Sequence, residues 1–171
     1  MRRPILIHPD PRLKKIAEPV ADISDEIRAL ADDMLETMYH APGIGLAAPQ
    51  IGVMSRLFVM DTAKDEEEPR PLVMVNPEIL EASDETSEYE EGCLSIPDQF
   101  GLVTRPAEIK MGYLDLDGNP QEIELSELDS TCAQHELDHL NGKLFIDYLS
   151  PIKRSMITKK MIKLKKEKAR A

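Results

Sequence analysis

The chain has 171 residues and a net charge of −11 at pH 7, and 42% of its residues are hydrophobic and 31% charged. This composition is that of an ordinary globular protein and excludes a disordered, collagenous or membrane chain. One domain is expected at this length. The apolar run after Met1-Arg2-Arg3 is only Ile5-Leu6-Ile7, too short for a signal peptide, and no stretch approaches the roughly 20 apolar residues that cross a bilayer. We therefore expect a cytoplasmic protein that makes no membrane contact and keeps its two cysteines reduced.

The charge is divided unevenly along the chain. From Pro151 onward there are nine basic residues and one acid, a net charge of +8, whereas residues 1–150 carry −19. A basic tail on an acidic body is typical of a protein whose tail contacts a polyanion. A solvated helix face is the alternative, and charge alone does not decide between the two.

A first helix is predicted after Ser24, a suitable N-cap residue, and ends before Pro42-Gly43. Its apolar residues recur at helical spacing: Ile27, Ala31, Met34, Leu35 and Met38. From about Gly52 to Ile123 the pattern changes to short β-type runs, such as 56–60 and 72–75, separated by turn signals such as Asp117-Gly118-Asn119-Pro120. The middle of the protein is therefore predicted to be antiparallel sheet and loop.

Two further helices are predicted in the last third of the chain. The first begins at Ser126, which forms a capping-box pattern with Asp129, and runs to the stop signal Asn141-Gly142. The second begins at Ser150-Pro151, an N-cap followed by proline at the first helical position. Its loose apolar stripe is Ile152, Met156, Met161 and Leu164.

The helix after Ser126 contains the pattern His135-Glu136-Leu137-Asp138-His139. Residues four apart lie one turn above each other, so both imidazoles can bind one metal ion. Glu136 is offset by one residue and can reach a metal-bound water without becoming a ligand. A satisfied histidine pair is the less favoured interpretation.

A catalytic site of this kind has three protein ligands and one open position. No His or Cys follows His139, and the acids downstream are Asp147, too close to fold back easily, and Glu167, in the basic tail. The third ligand is therefore expected upstream, where Cys93 is the best candidate because thiolate binds borderline metals strongly. Cys132 competes, but three ligands on one helix face rarely converge on a tetrahedral ion, so it is better placed in the core or in a pocket wall.

The segment Gly43–Gly52 is rich in small residues around Gln50 but lacks the spacing of a phosphate loop. Small residues allow close backbone approach to a ligand, with the Gln50 amide aimed inward. Taken alone, the segment could equally be a tight turn packed on the core.

Together, Gly43–Gly52, Glu91–Pro97 and Gln134–Gly142 resemble, in order and spacing, the three signature motifs of the bacterial peptide deformylases. The resemblance covers nearly all of residues 1–150, which we expect to form the catalytic domain, with 151–171 a basic C-terminal helix of the same domain. It implies an α+β fold in which antiparallel strands pack around a central helix carrying His-Glu-x-x-His, with an N-terminal and a C-terminal helix.

The resemblance also implies a role for each site residue. The metal ligands are Cys93, His135 and His139. The catalytic groups are Glu136 as acid and base, with Gln50 and the backbone N–H of Leu94 as oxyanion donors. The substrate-binding residues are Ile44, Gly45 and Cys132. The implied metal is Fe²⁺, for which Zn²⁺ or another divalent metal can substitute, whereas ligand softness alone allows zinc or iron.

The implied reaction is removal of the formyl group from the N-terminal formyl-methionine of nascent polypeptides, with release of formate. The C-terminal helix of some bacterial relatives binds the ribosome, so we expect the basic tail to do the same, in a monomer that does not bind DNA. Phe100 stands where some relatives carry Arg near the mouth of the cleft, which leaves preferences beyond the first substrate residues open.

Two other functions use parts of the same pattern. A metallopeptidase would apply His-Glu-x-x-His chemistry to internal peptide bonds, but the missing downstream ligand disfavours it. A non-enzymatic RNA- or ribosome-binding protein would explain the tail but not the metal cluster.

Overall fold

The computed structural model describes residues 1–170, and in that range the chain forms three α-helices and seven antiparallel β-strands. The helices are α1 (Asp25–His40), α2 (Glu127–Leu140) and α3 (Pro151–Arg170). The strands are β1 (Gly45–Ala47), β2 (Leu57–Met60), β3 (Leu72–Ala82), β4 (Thr86–Cys93), β5 (Ile96–Pro106), β6 (Glu108–Leu114) and β7 (Pro120–Ser126). The predicted α+β class is confirmed.

The strands form two sheets. The larger has the order β1-β2-β3-β6-β7, and β4 and β5 form a separate hairpin. Side chains alternate between the two faces of a strand, so Leu57 and Val59 of β2 pack with α1 while Phe58 and Met60 pack with α2. Helix α2 contacts both the larger sheet and β5, which buries most of its side chains.

The ends of α1 and α2 test the capping predictions. Helix α1 begins as predicted, with Ser24 Oγ accepting a hydrogen bond from the Ile27 N–H at 3.3 Å. The predicted capping box of α2 is wrong, because within residues 1–170 the Ser126 side chain makes no capping bond. The Asp129 carboxylate instead accepts a hydrogen bond from the Thr62 hydroxyl.

Helix α3 begins at Pro151 as predicted, and the Ser150 hydroxyl accepts the Lys153 N–H at 3.3 Å. Its predicted apolar stripe is partly wrong, because Ile152 and Met156 are 74% and 55% exposed. The buried stripe is rotated around the helix and packs on the cluster that includes Ile96, Val103 and Phe145. It consists of Ile157, Met161 and the partly buried Leu164.

Helix α3 is also joined to the start of the chain, since His8 Nε2 and Thr158 Oγ1 lie 2.9 Å apart. None of the helices within residues 1–170 has the length and apolar character that a membrane span requires.

Candidate metal centre and substrate cleft

Three predicted ligand side chains meet at one point. His135 and His139 project from the same face of α2 with their Nε2 atoms 3.2 Å apart, and Cys93, the last residue of β4, places Sγ 3.4 Å from His139 Nε2. The three donor atoms lie within 4.8 Å of one another. Two ligand atoms that are each about 2.0–2.1 Å from a tetrahedral ion lie about 3.3 Å apart. The spacing and the Cys-His-His donor set therefore fit one divalent metal ion.

A buried ionic network supports His135. Glu91 Oε1 lies 3.0 Å from His135 Nδ1, and the Glu91 carboxylate also receives two hydrogen bonds from Arg105, at 2.7 and 2.9 Å. Arg105 donates a third bond to Asp138 at 2.9 Å. With Nδ1–H donated to Glu91, the lone pair of Nε2 faces Cys93 and His139, which is the tautomer that a metal ligand needs.

The two histidines differ in pKa, and so in how readily each is protonated. Burial acts to lower the pKa of His135, but the Glu136 carboxyl and the hydrogen bonds to Cys93 and Glu91 outweigh it, so this pKa is well above the usual value. For His139, burial and the neighbouring His135 hold the pKa well below the usual value. Without a metal, His135 is therefore the histidine that takes up a proton more readily, and a bound metal ion would replace that proton at Nε2.

Glu136 lies beside the donor cluster and is buried. Its Oε1 has no hydrogen-bond partner among residues 1–170, and burial raises its pKa to about 7. The chain comes unusually close here, because a Cβ at position 45 would lie 2.5 Å from Glu136 Oε2. Only glycine allows β1 to pass so close to this carboxyl group, which explains why position 45 is a glycine.

The Gln50 amide is held in one orientation. Its Oε1 accepts the Ala47 N–H at 2.9 Å, and its Nε2 donates to Ser95 Oγ at 3.0 Å. The remaining N–H points towards Cys93 Sγ at 3.4 Å, and therefore towards the metal centre. Leu94 follows Cys93 directly in the turn between β4 and β5, and it also lines the cavity described below.

A cavity of about 790 Å³ opens onto this cluster. Among the predicted residues, Ile44, Gly45, Gln50, Cys93, Leu94, Cys132, His135 and Glu136 line it. Cys132 is separate from the donor cluster: its Sγ is 3.6 Å from the Ile44 carbonyl oxygen, and burial raises the pKa of its thiol well above the usual value. Cys132 is not one of the three converging donors and lines the cavity, so it belongs to the cavity wall.

Sequence reasoning missed four residues of the site. Leu128 and Thr131 also line the cavity, and their helical spacing from His135 could have indicated this. Glu91 was part of a recognised motif but had no assigned role. Nothing in the sequence around Arg105 indicates that it pairs with Glu91.

The fold and the site define a small metal-dependent hydrolase of the α+β class. Residues 2–155 match the family model described as polypeptide deformylase. A peptide deformylase from Mesorhizobium japonicum is 56% identical over 167 residues, which cover 98% of this chain and 95% of that protein. The crystal structure of a peptide deformylase from Legionella pneumophila superposes with a TM-score of 0.92 at 47% identity and covers 100% of this chain and 99% of that one.

The peptide deformylase of Ehrlichia chaffeensis, solved in complex with actinonin, superposes with a TM-score of 0.90 at 41% identity, over 94% of this chain and 96% of that one. The chain therefore belongs to the polypeptide deformylase family. It is a hydrolase that removes the N-formyl group of nascent peptides.

Proposed function

We propose that the enzyme hydrolyses the formyl amide of N-terminal formyl-methionine with one metal ion bound by Cys93, His135 and His139. The observation that carries this proposal is the convergence of these three donors beside Glu136 and Gln50 in one cavity. When bound there, a divalent ion lowers the pKa of a coordinated water towards about 7 and polarises the carbonyl oxygen. Fe²⁺ is the proposed physiological metal, and Zn²⁺ or another divalent ion can replace it.

Glu136 is proposed to move the proton. Its carboxylate would take a proton from the attacking water and, as a carboxylic acid, return it to the leaving nitrogen; burial raises its pKa, which favours the acid form that the second transfer needs. The buried Oε1 has no hydrogen-bond partner among residues 1–170, so no described protein group competes for its proton. The products are formate and a free amino terminus.

Gln50 and the Leu94 backbone N–H are proposed to stabilise the developing oxyanion. The Gln50 amide is already fixed by Ala47 and Ser95, so little reorganisation is needed when charge appears on the formyl oxygen. Loss of one such donor typically costs about 2.7–4 kcal/mol of transition-state stabilisation. Ile44, Gly45 and Cys132 are proposed walls of the cavity that receives the methionine side chain.

Two assays together test this function. Formate release from a formyl-Met peptide should be rapid, whereas the unformylated peptide should not be cleaved; cleavage of internal bonds would indicate a metallopeptidase instead. Glu136→Gln should keep its metal and lose turnover, since no base remains. Substantial turnover in the metal-loaded variant would contradict the role of Glu136. Metal analysis after anaerobic purification tests the assignment of iron.

We further propose that residues 1–150 are the catalytic part of a monomeric cytoplasmic enzyme and that the basic segment 151–171 belongs to the same domain. Its helix α3 docks on the ribosome, and Ala171 lies outside the described residues. The burial of Ile157 and Met161 supports a helix held on the body with its lysines exposed. Ribosomal RNA is a dense phosphate surface, and an exposed helix with a charge of +8 attracts it in a strongly salt-dependent way.

Removing the helix would expose the residues that it covers, so charge variants test docking better than truncation. Lys160→Gln with Lys163→Gln should weaken ribosome co-sedimentation at low salt and reduce its salt dependence, and should leave hydrolysis of a short formyl-Met peptide unchanged. Lys15→Gln with Lys64→Gln, two exposed lysines of the body, is the matched control. Equal losses in both double variants would show that net charge, and not α3, governs the association.

A further inference from the structure

Positive charge lines one wall of the substrate cavity. Two elements supply it: the start of the chain, with Arg2 and Arg3, and the last turn of α3, with Lys168. Within residues 1–170 these are the only Lys or Arg side chains that line the cavity. Arg2 and Lys168 are exposed, so they lie where the cavity opens to solvent.

The three cations differ in how their charge is compensated. The Arg3 guanidinium donates two hydrogen bonds to the Asp33 carboxylate, at 3.0 and 2.9 Å. Arg2 Nη1 instead lies 2.7 Å from a ring nitrogen of His40, and an imidazole offers no negative charge. Among residues 1–170 no acid forms an ion pair with Arg2 or Lys168. Two uncompensated cations therefore face the cavity and are free to bind an anionic group.

The wall formed by the β4–β5 hairpin carries the opposite charge. Glu90 and Asp98 line the cavity there, are exposed, and form no ion pair within residues 1–170. An extended peptide points successive side chains to opposite sides. A peptide that leaves the cavity between these walls would present one side chain to the hairpin and the next to Arg2 and Lys168. An acidic residue is favoured at only one of these two positions.

We propose that Arg2 and Lys168 form a subsite for an acidic side chain of the substrate, at a residue that follows its N-terminal methionine. This inference rests on the proposed function, because it assigns the cavity to a formylated peptide. The net charge of the chain is −11, so the protein as a whole repels an acidic peptide. A preference for an acid at one position is therefore a local effect of the two cations.

The expected preference is modest because both cations are exposed to solvent. Exposed ion pairs are weak, so an acidic side chain should gain about two- to fivefold in kcat/KM over an uncharged side chain of the same shape at low salt. The gain should disappear at high salt, because the screening length falls to about 3 Å at 1 M.

The test measures kcat/KM for formyl-Met peptides in which the second, third or fourth residue is Glu or its uncharged isostere Gln and the others are Ala. The variant Arg2→Gln with Lys168→Gln removes the proposed subsite. The variant Arg154→Gln with Lys166→Gln is the matched control. It removes one Arg and one Lys, both exposed residues of α3 that do not line the cavity.

The wild-type and control enzymes should prefer Glu over Gln at one position by about two- to fivefold at low salt, and the ratio should be near one in the Arg2 and Lys168 double variant. No position with such a preference in the wild type, a preference that high salt does not reduce, or an equal loss in the control variant overturns the subsite. Failure of the wild type to release formate from the Gln peptides as well would instead overturn the proposed function.

Discussion

Glu91 is the residue whose replacement tests the architecture of the metal centre most directly. Its carboxylate, only about 5% exposed, accepts hydrogen bonds from both His135 and Arg105. Glu91→Gln keeps the size of the side chain, removes the negative charge and turns one acceptor into a donor. That donor would face Arg105 or His135, which are themselves donors.

Two effects of this substitution follow from the structure. Removing one partner of a buried ion pair typically costs about 3–5 kcal/mol of unfolding free energy. We expect a loss near the lower end, about 3 kcal/mol, because Arg105 keeps a second acidic partner in Asp138, at 2.9 Å. For a domain of this size that corresponds to a fall in Tm of roughly 6–12 °C. Metal affinity should fall about 10- to 100-fold, because His135 loses the group that fixes its tautomer.

The stability change also depends on pH. Burial acts to raise the pKa of Glu91, but hydrogen bonds from His135 and Arg105 outweigh it and hold this pKa below its ordinary value. The ionised carboxylate therefore stabilises the fold above about pH 4.3, and this contribution is lost as the pH falls through the folded-state pKa. The difference in unfolding free energy between wild type and Glu91→Gln should be largest at neutral pH and shrink in acid.

Denaturant unfolding of the metal-free proteins at several pH values, with a separate metal-competition titration at pH 7, measures these effects. Glu88→Gln is the control, since Glu88 is an exposed residue of the same strand and should change stability by less than about 0.5 kcal/mol. A loss below about 1 kcal/mol in Glu91→Gln, with unchanged metal affinity, would refute the view that this network supports the metal centre.

Three further substitutions or conditions test the site. Gly45→Ala should displace Glu136, because the new Cβ would lie 2.5 Å from Oε2. We expect at least a tenfold loss of kcat with the metal content retained. A normal kcat would disprove the close approach. Cys93→Ser should lower metal affinity and activity together, whereas Cys132→Ser should retain the metal. Metal analysis after dialysis measures this difference. The opposite pattern would make Cys132 the third ligand and Cys93 a residue of the cavity wall. The raised pKa of His135 means that a proton must leave when the metal binds. Metal affinity should therefore weaken as the pH falls. A metal affinity that does not change between pH 8 and pH 6 would contradict this.

Local sequence features determined much of this protein. The spacing of His135 and His139 on one helix and the N-cap residues Ser24 and Ser150 depend on neighbours within one or two turns, so they can be predicted from the chain alone. The donor set could also be anticipated, because few residues near the two histidines in sequence could complete it, and this left Cys93 upstream as the best candidate.

Tertiary structure decided the contacts between residues distant in sequence. Arg105 meets Glu91 only because β4 and β5 pair in one register and α2 packs against them. The Asp129 carboxylate bonds Thr62 rather than closing a capping box, and α3 turns Ile157 rather than Ile152 towards the body. In each case the helix pattern allowed more than one arrangement, and packing against a distant element selected one of them, because burial and hydrogen bonding across the fold outweigh the small preferences of local sequence.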